Sequence, residues 1–239
     1  MNKILCRIAA WCAQELIWGG ELLGSENLPA QGPAVFVCNH LGALGPIAAY
    51  ASLPFDLHFW IHADMLDPQQ APDYLRLDFV EPQLHIPPPL SHRLAAAISR
   101  IHVPLLRAIG GIPVYQSAEQ ISKTFDLSLE VLEQGGFLLI FPEDAAQPAD
   151  EHSRMSPFKK GFARLGELYY ERTRQRLPFY PLAVHAASLS VQAGKPVYFN
   201  PLNPPAMERV RIKNALEHFV RQMYLQAEEK AMVHAHLAS

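Results

Sequence analysis

The sequence has few charged residues, few cysteines and no long uninterrupted apolar run. Charged side chains make up 18% of its 239 residues, and the formal net charge is −3. The lack of a basic excess argues against nucleic acid binding, and the lack of blocks of like charge argues against a solvated tail. Hydrophobic residues make up 49%, enough to bury a substantial core. We therefore expect a single domain over residues 21–239, preceded by an amphipathic segment over residues 1–20.

The three cysteines lie in apolar stretches, without the CxxC or mixed Cys/His spacing of a metal site. They are Cys6, Cys12 and Cys38. This pattern predicts buried, reduced thiols of the kind found in a cytosolic compartment, and not a disulfide framework. His58 and His62 are close in sequence, but their segment has the pattern of a strand entering a loop. That pattern does not place two ligands on one helical face, so we expect no metal site.

The first eighteen residues are mostly apolar, but Arg7, Gln14 and Glu15 interrupt them. The run falls short of the roughly 20 apolar residues that a membrane-spanning helix needs. The same interruptions argue against a signal peptide. Two interpretations stay open: an ordinary helix packed on the domain, or an interfacial helix that inserts Trp11 and Trp18 into the headgroup layer.

Short apolar runs rich in Val, Phe and Ile alternate with longer helical patterns, which indicates an α/β fold. Strands are predicted at 34–38, 57–61, 112–115, 137–141, 179–184 and 196–199. Helices are predicted at 2–18, 45–53, 92–108, 117–133, 157–174 and 206–234. Residues 64–91 contain so many prolines that we expect neither a regular helix nor a central strand there. That segment is predicted to be a long surface loop, acting as a lid or binding element, or a disordered crossing.

The strand AVFVC (34–38) runs directly into Asn39 and His40. A histidine just past the carboxyl end of a strand lies where open α/β sheets place their ligand crevice. Four more segments follow in order: GGIPVYQ (110–116), FLLIFPED (137–144), MSPFKKGFARLG (155–166) and FYPLAVHA (179–186). Together these segments resemble the glycerol-3-phosphate and lysophosphatidate (1-acylglycerol-phosphate) acyltransferases across nearly the whole chain. The resemblance implies a mixed sheet flanked by helices, with an N-terminal amphipathic helix.

The resemblance also implies a mechanism. In this family a histidine removes the proton from an acceptor hydroxyl, which attacks the thioester of acyl-CoA or acyl carrier protein. An aspartate five residues later orients the histidine and stabilises its cation. His40 takes the histidine position here, but the aspartate position is Gly45. No metal and no cofactor is implied beyond the acyl donor, which acts as a co-substrate.

Two further departures concern phosphate recognition. The family's second segment ends in an arginine that binds substrate phosphate, and this chain has Gln116. The family's third segment reads Phe-Pro-Glu-Gly-Thr-Arg-Ser, and here Asp144 replaces the glycine and Ala146 the arginine. Losing both arginines removes the bidentate donors that phosphate recognition favours, so we expect an acceptor without phosphate. The residues expected to bind substrate are Asn39, Gly111, Gln116, Pro142, Arg154 and Lys159.

Three interpretations of the missing aspartate stay open. In the first, Asp144, or Glu143 beside it, takes over the orientation of His40, although Asp144 also fits an ordinary turn residue. In the second, the enzyme is weakened and uses a neutral or zwitterionic alcohol. In the third, the protein is catalytically inactive and binds an acyl chain, an acyl carrier protein or a partner enzyme.

The resemblance further implies a lipid acceptor and a membrane surface as partners. We therefore expect a peripheral or interfacial protein on the cytoplasmic side of the membrane. The N-terminal segment carries only Lys3 and Arg7 as basic residues, so apolar insertion would dominate its binding to lipid.

Overall fold

The computed structural model describes residue 14, residues 18–42 and residues 44–238, with side chains as far as residue 233. The predicted helix 2–18 therefore lies outside the described residues, apart from Gln14 and Trp18. The strands are β1 (Glu21–Leu23), β2 (Ala34–Cys38), β3 (Leu57–His62), β4 (Gly111–Val114), β5 (Phe137–Ile140), β6 (Pro178–His185), β7 (Ser190–Ala193) and β8 (Val197–Tyr198). The helices are α1 (Leu44–Ser52), α2 (Ala63–Leu66), α3 (Ala71–Leu75), α4 (Glu81–Leu84), α5 (Leu90–Ala108), α6 (Ile121–Glu133), α7 (Arg164–Thr173) and α8 (Pro205–Ala238).

The chain forms two compact units. One is His58–Ser128, and the other comprises the described residues of 2–57 and 129–239. In the larger unit β2 runs parallel to both β5 and β6. The sheet continues through β7, antiparallel to β6, and β1, parallel to β7, while β8 pairs antiparallel with β6. The predicted fold class, an α/β fold with a mixed sheet flanked by helices, is confirmed.

Strand β2 lies in the core of the larger unit. Each of its five residues is fully buried, which explains why it reads as an unbroken apolar run and not as an alternating one. The Phe36 ring lies 5.5 Å from that of Phe55 and 5.6 Å from that of Tyr180. Helix α8 contributes buried Ile212 and Leu216 to the same unit. Because β2 is enclosed on both faces, the main chain at Asn39 and His40, which follow it, is held in place.

The smaller unit contains the proline-rich segment, which is helical and not the expected loop. Residues 63–84 form α2, α3, a π-helical turn (Arg76–Val80) and α4. Pro72 lies in the first turn of α3, where the missing proline N–H has no intrahelical partner to lose. Pro82 directly follows the π-helical turn within one unbroken helical run over residues 71–84. Buried Leu75 and Val80 pack with Ala95 of α5 to form a small core. The prediction of a loop was wrong for residues 64–84, because proline was read there as a helix breaker, while residues 85–89 are not helical.

Some other observed helices and strands also differ from those predicted from the sequence. Helix α7 begins at Arg164 and not at 157, because Phe158 forms a bridge with Glu143 and Gly161–Ala163 form a 3-10 turn. Strands β1 and β7 were not predicted. At three and four residues they are too short to show a period.

Trp18 is packed into the protein. Only 3% of its surface is exposed, and nearby Gln14 donates from Nε2 to the Gly20 carbonyl at 2.7 Å. The Trp18 side chain is therefore not exposed in this structure, while Trp11 lies outside the described residues, so the interfacial interpretation stays a prediction. Among residues 18–42 and 44–238, no helix has both the length and the hydropathy of a membrane span.

Candidate functional site

Asn39 fixes the end of β2 to the end of β6. Its side chain is fully buried, its Oδ1 accepts the Val184 N–H at 2.7 Å, and its Nδ2 donates to the Val184 carbonyl at 3.0 Å. An amide with no exposed surface is out of reach of a substrate in this structure. Asn39 is therefore a positioning residue and not the substrate contact that was expected.

His40 directly follows Asn39 in the sequence and is exposed to solvent. Its ring meets the Phe141 ring edge to face, with the centroids 5.3 Å apart and the planes at 82°. Among the described residues, no other residue forms a hydrogen bond with a ring nitrogen of His40. Partial burial lowers the pKa of the imidazole from its usual 6.5, and a hydrogen bond to the residue's own backbone acts in the opposite direction. The site thus favours the neutral imidazole that a general base requires.

Gly45 lies against the His40 segment, at the start of α1. A Cβ built on Gly45 would lie 3.0 Å from the Asn39 carbonyl oxygen and 3.5 Å from the His40 Cα. Gly45, expected at the position of the family's aspartate, therefore borders His40 without a side chain. Any side chain at this position would require the neighbouring backbone to move by a few tenths of an ångström.

Glu143 contacts His40 through the main chain and not through the ring. Its Oε1 accepts the His40 N–H at 2.5 Å, and its Oε2 accepts the Ser156 N–H at 2.8 Å. Burial raises the pKa of this carboxyl, and the two N–H donors partly offset that rise. The carboxylate therefore links two segments of chain and fixes the backbone from which the imidazole extends.

Asp144 is turned towards other partners. Its carboxylate accepts from the Gln147 amide at 3.1 Å and the Ala146 N–H at 3.3 Å, and it forms an ion pair with Lys159 Nζ at 3.1 Å. The donors from Gln147, and next from Lys159, lower the pKa of Asp144. No hydrogen bond joins Asp144 to the His40 ring within the described part of the chain. The expected contact, in which Asp144 orients the His40 ring, is thus not formed. Asp144 instead has the contacts of a turn residue.

The loop from Pro142 to Lys159 is held at both ends. The Lys159 N–H donates to the Pro142 carbonyl at 2.8 Å, and the Phe158 N–H donates to Glu217 of α8 at 3.1 Å. Arg221, one helical turn further along α8, contacts the Ser153 hydroxyl. The Lys159 ammonium itself is exposed, so it is available beside the turn.

Glu217, Arg221 and Ser156 were not singled out from the sequence. The i,i+4 spacing of Lys213, Glu217 and Arg221 was visible as a charged helical row. Such rows usually face solvent, so nothing in the sequence pointed to a loop anchored on this one. Arg154 was expected to bind substrate. Its side chain is exposed, and its charge acts on Tyr224 of α8, whose pKa is raised mainly by burial.

Gly111 and Gln116 belong to the smaller unit. A Cβ on Gly111 would lie 2.7 Å from the Leu106 carbonyl oxygen, so close packing requires a glycine there. Gln116 follows β4, and its Nε2 lies 3.0 Å from Nε2 of His62 at the end of β3. The His62 ring in turn lies 4.9 Å from that of Tyr74. Gln116, expected at the position of the family's phosphate arginine, is thus an amide that contacts a histidine.

The described residues contain no group of three or more His, Cys, Asp or Glu side chains placed to hold a metal ion. Cys38 is fully buried as predicted, and burial raises the pKa of its thiol. A thiol kept protonated inside the core is a poor nucleophile. The titratable side chain exposed at the end of β2 is the His40 imidazole.

No family model matches the sequence, and no curated protein does. The structure is similar to the crystal structure of PlsC, the 1-acyl-sn-glycerophosphate (LPA) acyltransferase from Thermotoga maritima, with a TM-score of 0.58 and 12% sequence identity. The match covers 92% of this chain and 80% of that one. At this identity the likeness shows the fold, so the chain has an acyltransferase fold.

Proposed function

We propose that this protein transfers a fatty acyl group from acyl-CoA or acyl carrier protein to the hydroxyl of a lipid or other alcohol that bears no phosphate. The observation that carries the proposal is the His40 imidazole. It is solvent-accessible, lies at the carboxyl end of the central strand and is favoured in its neutral form. The acyltransferase fold around it supports the same chemistry.

In the proposed reaction a ring nitrogen of His40 takes the proton of the acceptor hydroxyl as the oxygen attacks the thioester carbonyl carbon. A carbon–oxygen bond forms and a tetrahedral intermediate results. The carbon–sulfur bond then breaks, and the leaving thiolate takes the proton back from the imidazolium. No metal or redox cofactor is needed to balance these steps.

In the proposed reaction, the residues around His40 position the imidazole and the Lys159 ammonium. Asn39 and Glu143 fix the main chain on the amino-terminal side of the His40 Cα, and Pro142 holds Lys159 through its carbonyl. Asp144 keeps the Lys159 ammonium beside the turn, where the ammonium can meet a polar group of the donor. Nothing at position 45 selects the imidazole tautomer or stabilises its cation, a loss that costs about 10⁴-fold in turnover in a serine protease.

The proposed acceptor follows from the groups around the former phosphate positions. The Gln116 amide, beside His62, offers hydrogen-bonding groups in the smaller unit, and the Ala146 side chain offers none. Neither residue at the former arginine positions carries the fixed charge and forked donors that phosphate favours. We therefore propose a neutral or zwitterionic alcohol that carries no phosphate as the acceptor. We propose that the protein meets such acceptors at the cytoplasmic surface of a membrane, as a peripheral protein.

The test is an acyl-transfer assay with purified protein, acyl-CoA or acyl carrier protein, and a panel of neutral, zwitterionic and phosphorylated acceptors. We expect transfer to acceptors without phosphate, lost in His40→Ala and retained in His218→Ala, a matched substitution of an exposed histidine on α8. Transfer that survives His40→Ala would overturn the assignment of the base. Preferred transfer to lysophosphatidate would overturn the assignment of the acceptor.

A second candidate is a catalytically inactive acyl- or lipid-binding protein. The observation that favours it is that, among the described residues, no carboxylate contacts the His40 ring. In that case the protein would bind acyl-CoA or acyl carrier protein without turnover, and binding would be unchanged in His40→Ala.

A further inference from the structure

Helix α5 exposes an apolar strip to solvent. Leu90 is 59% exposed, Ile101 74% and Leu105 49%. At 100° per residue these three side chains fall on one side of the helix. The opposite side carries the buried residues Ser91, Ala95, Ser99 and Val103. Leu94 on the same side is half-buried against the small core, so the apolar strip is exposed at Leu90 and again at Ile101 and Leu105.

A row of arginines borders this strip. Arg93, Arg100 and Arg107 recur every seven residues, which places them close to one line along the helix. Within residues 18–42 and 44–238, neither Arg93 nor Arg100 forms an ion pair. Arg107 donates from Nε to the Leu66 carbonyl at 2.9 Å, which fixes its guanidinium against the body of the unit.

A cleft of about 320 Å³ opens beside the same row. Its lining residues are Pro68, Ser99, Arg100, Val103, Pro104 and Arg107. Two guanidinium groups thus line one cleft, and no acidic side chain lines it. That combination suits a phosphate group better than a cation or a neutral molecule.

The charge of this region is opposite to that of the whole chain. Residues 82–118 include three arginines and no aspartate or glutamate, although the protein carries a net charge of −3. Helix α8 also exposes apolar side chains, at Met207, Leu225 and Met232, but Glu229 is exposed near the last two. The apolar strip and the arginine row of α5 therefore form one surface that is both apolar and positive.

We propose that this α5 surface, formed by Leu90, Arg93, Arg100, Ile101 and Leu105, lies on a membrane that contains anionic phospholipids. The apolar strip enters the headgroup layer, and the arginines bind lipid phosphates at its edge. An acidic protein surface would satisfy the arginines but would have to supply an apolar patch as well. A bilayer supplies both an apolar layer and negatively charged phosphates along the whole length of α5. The use of this contact rests on the proposed function, in which the acceptor is a lipid, but the contact itself does not depend on turnover.

The test is sedimentation of the full-length protein with vesicles of phosphatidylcholine alone or mixed with phosphatidylglycerol. Neutralising Arg93→Gln and Arg100→Gln together should weaken binding to the mixed vesicles about tenfold or more, and raised salt should bring wild type close to that variant. Replacing Ile101→Ser and Leu105→Ser together should weaken binding to both kinds of vesicle. Circular dichroism checks that each variant is folded.

Matched controls come from the larger unit. Lys195→Gln removes an exposed charge there, and Leu202→Ser removes a side chain that is 89% exposed. Both controls should sediment as wild type does. The proposal is overturned if the arginine variant binds mixed vesicles like wild type, or if the controls lose as much binding as the α5 variants. Because His40→Ala should sediment normally, failure of the membrane contact and failure of the proposed catalysis give different results.

Discussion

The Glu143 carboxylate holds His40 by its backbone, with Oε1 accepting the His40 N–H at 2.5 Å. Its other oxygen accepts the Ser156 N–H at 2.8 Å, so one side chain connects the residue after β2 to the loop after β5. Glu143 thus fixes the main chain at His40 and forms no hydrogen bond with the imidazole ring.

We expect Glu143→Ala to lower both stability and turnover. It removes the acceptor of two backbone N–H groups, and such groups left without a partner cost about 1–3 kcal/mol. Even a 1 Å displacement of the imidazole lowers turnover by about 10²-fold. Urea unfolding and the acyl-transfer assay measure the two effects. Glu143→Gln keeps one acceptor oxygen and should lose less, while Glu151→Gln, an exposed position in the same loop, should behave as wild type. Wild-type turnover in Glu143→Ala would show that this contact does not position the base.

The pH dependence of turnover should follow the lowered pKa of His40. A general base works only in its neutral form, so activity falls as the pH drops through the pKa of the imidazole. Because burial lowers that pKa, we expect the acidic midpoint of kcat/KM to lie below 6.5. A midpoint above 6.5 would indicate that a carboxylate pairs with the imidazolium after all.

Gly45→Asp should increase turnover if the protein is an enzyme weakened by the loss of its aspartate. Restored orientation and charge stabilisation should raise kcat by at least about tenfold, with about 10⁴-fold as the upper bound. The new carboxylate should also move the acidic midpoint of kcat/KM upwards, since it favours the imidazolium.

Gly45→Ala is the matched control, because it adds only the Cβ that would lie 3.0 Å from the Asn39 carbonyl oxygen. We expect Gly45→Ala to be about 1 kcal/mol less stable, as is usual for slight overpacking, with no gain in turnover. Equal inactivity of Gly45→Asp and Gly45→Ala, in proteins that are folded, would favour the binding-protein candidate.

Asp144→Asn tests whether that carboxylate has any part in orienting His40. The ion pair with Lys159 is largely exposed on the lysine side, so its loss should have little effect on stability. We expect turnover to fall by less than about threefold, and Lys159→Gln to have a similar effect. A much larger loss in Asp144→Asn alone would show that Asp144 reaches the ring during the reaction.

Glu208 should make stability depend on pH in the acidic range. Burial alone would raise its pKa, but donors from Arg211, Asn203 and the Asn200 N–H lower it to about 2 from the usual 4.5. A carboxyl with a depressed pKa in the folded state stabilises the fold above about pH 4.5. That stability is lost progressively as the pH falls from there towards 2.

Glu208→Gln should therefore lower the free energy of unfolding by about 1–3 kcal/mol at neutral pH, the range for hydrogen bonds to charged groups. The difference from wild type should shrink on acidification, because protonated Glu208 resembles glutamine. Urea titrations at several pH values measure this. Glu171→Gln, an exposed position on α7, serves as the control. A difference that does not change with pH would show that the carboxylate charge is not what stabilises this end of α8.

The fold could be predicted because its strongest signals are local. The continuous apolar run of β2 requires burial on both faces, and the ordered segments around His40 indicated the architecture. The helical character of residues 64–84 was missed, because proline breaks a regular helix in its interior, whereas Pro72 begins α3 and Pro82 follows a π-helical turn. The main-chain role of Glu143 was missed for a different reason. Whether the Glu143 carboxylate contacts the His40 ring or the His40 N–H depends on the path of the loop after β5. The sequence pattern does not predict that path.

The tie between Asn39 and Val184 restricts how the site can adapt to different substrates. The ends of β2 and β6 are joined by a buried amide that satisfies one backbone N–H and one carbonyl at once. Widening the site between these strands would leave both groups without partners in the core. New substrate range is therefore expected to arise by lengthening or reshaping the loop from Pro142 to Lys159, while the sheet beneath His40 stays unchanged.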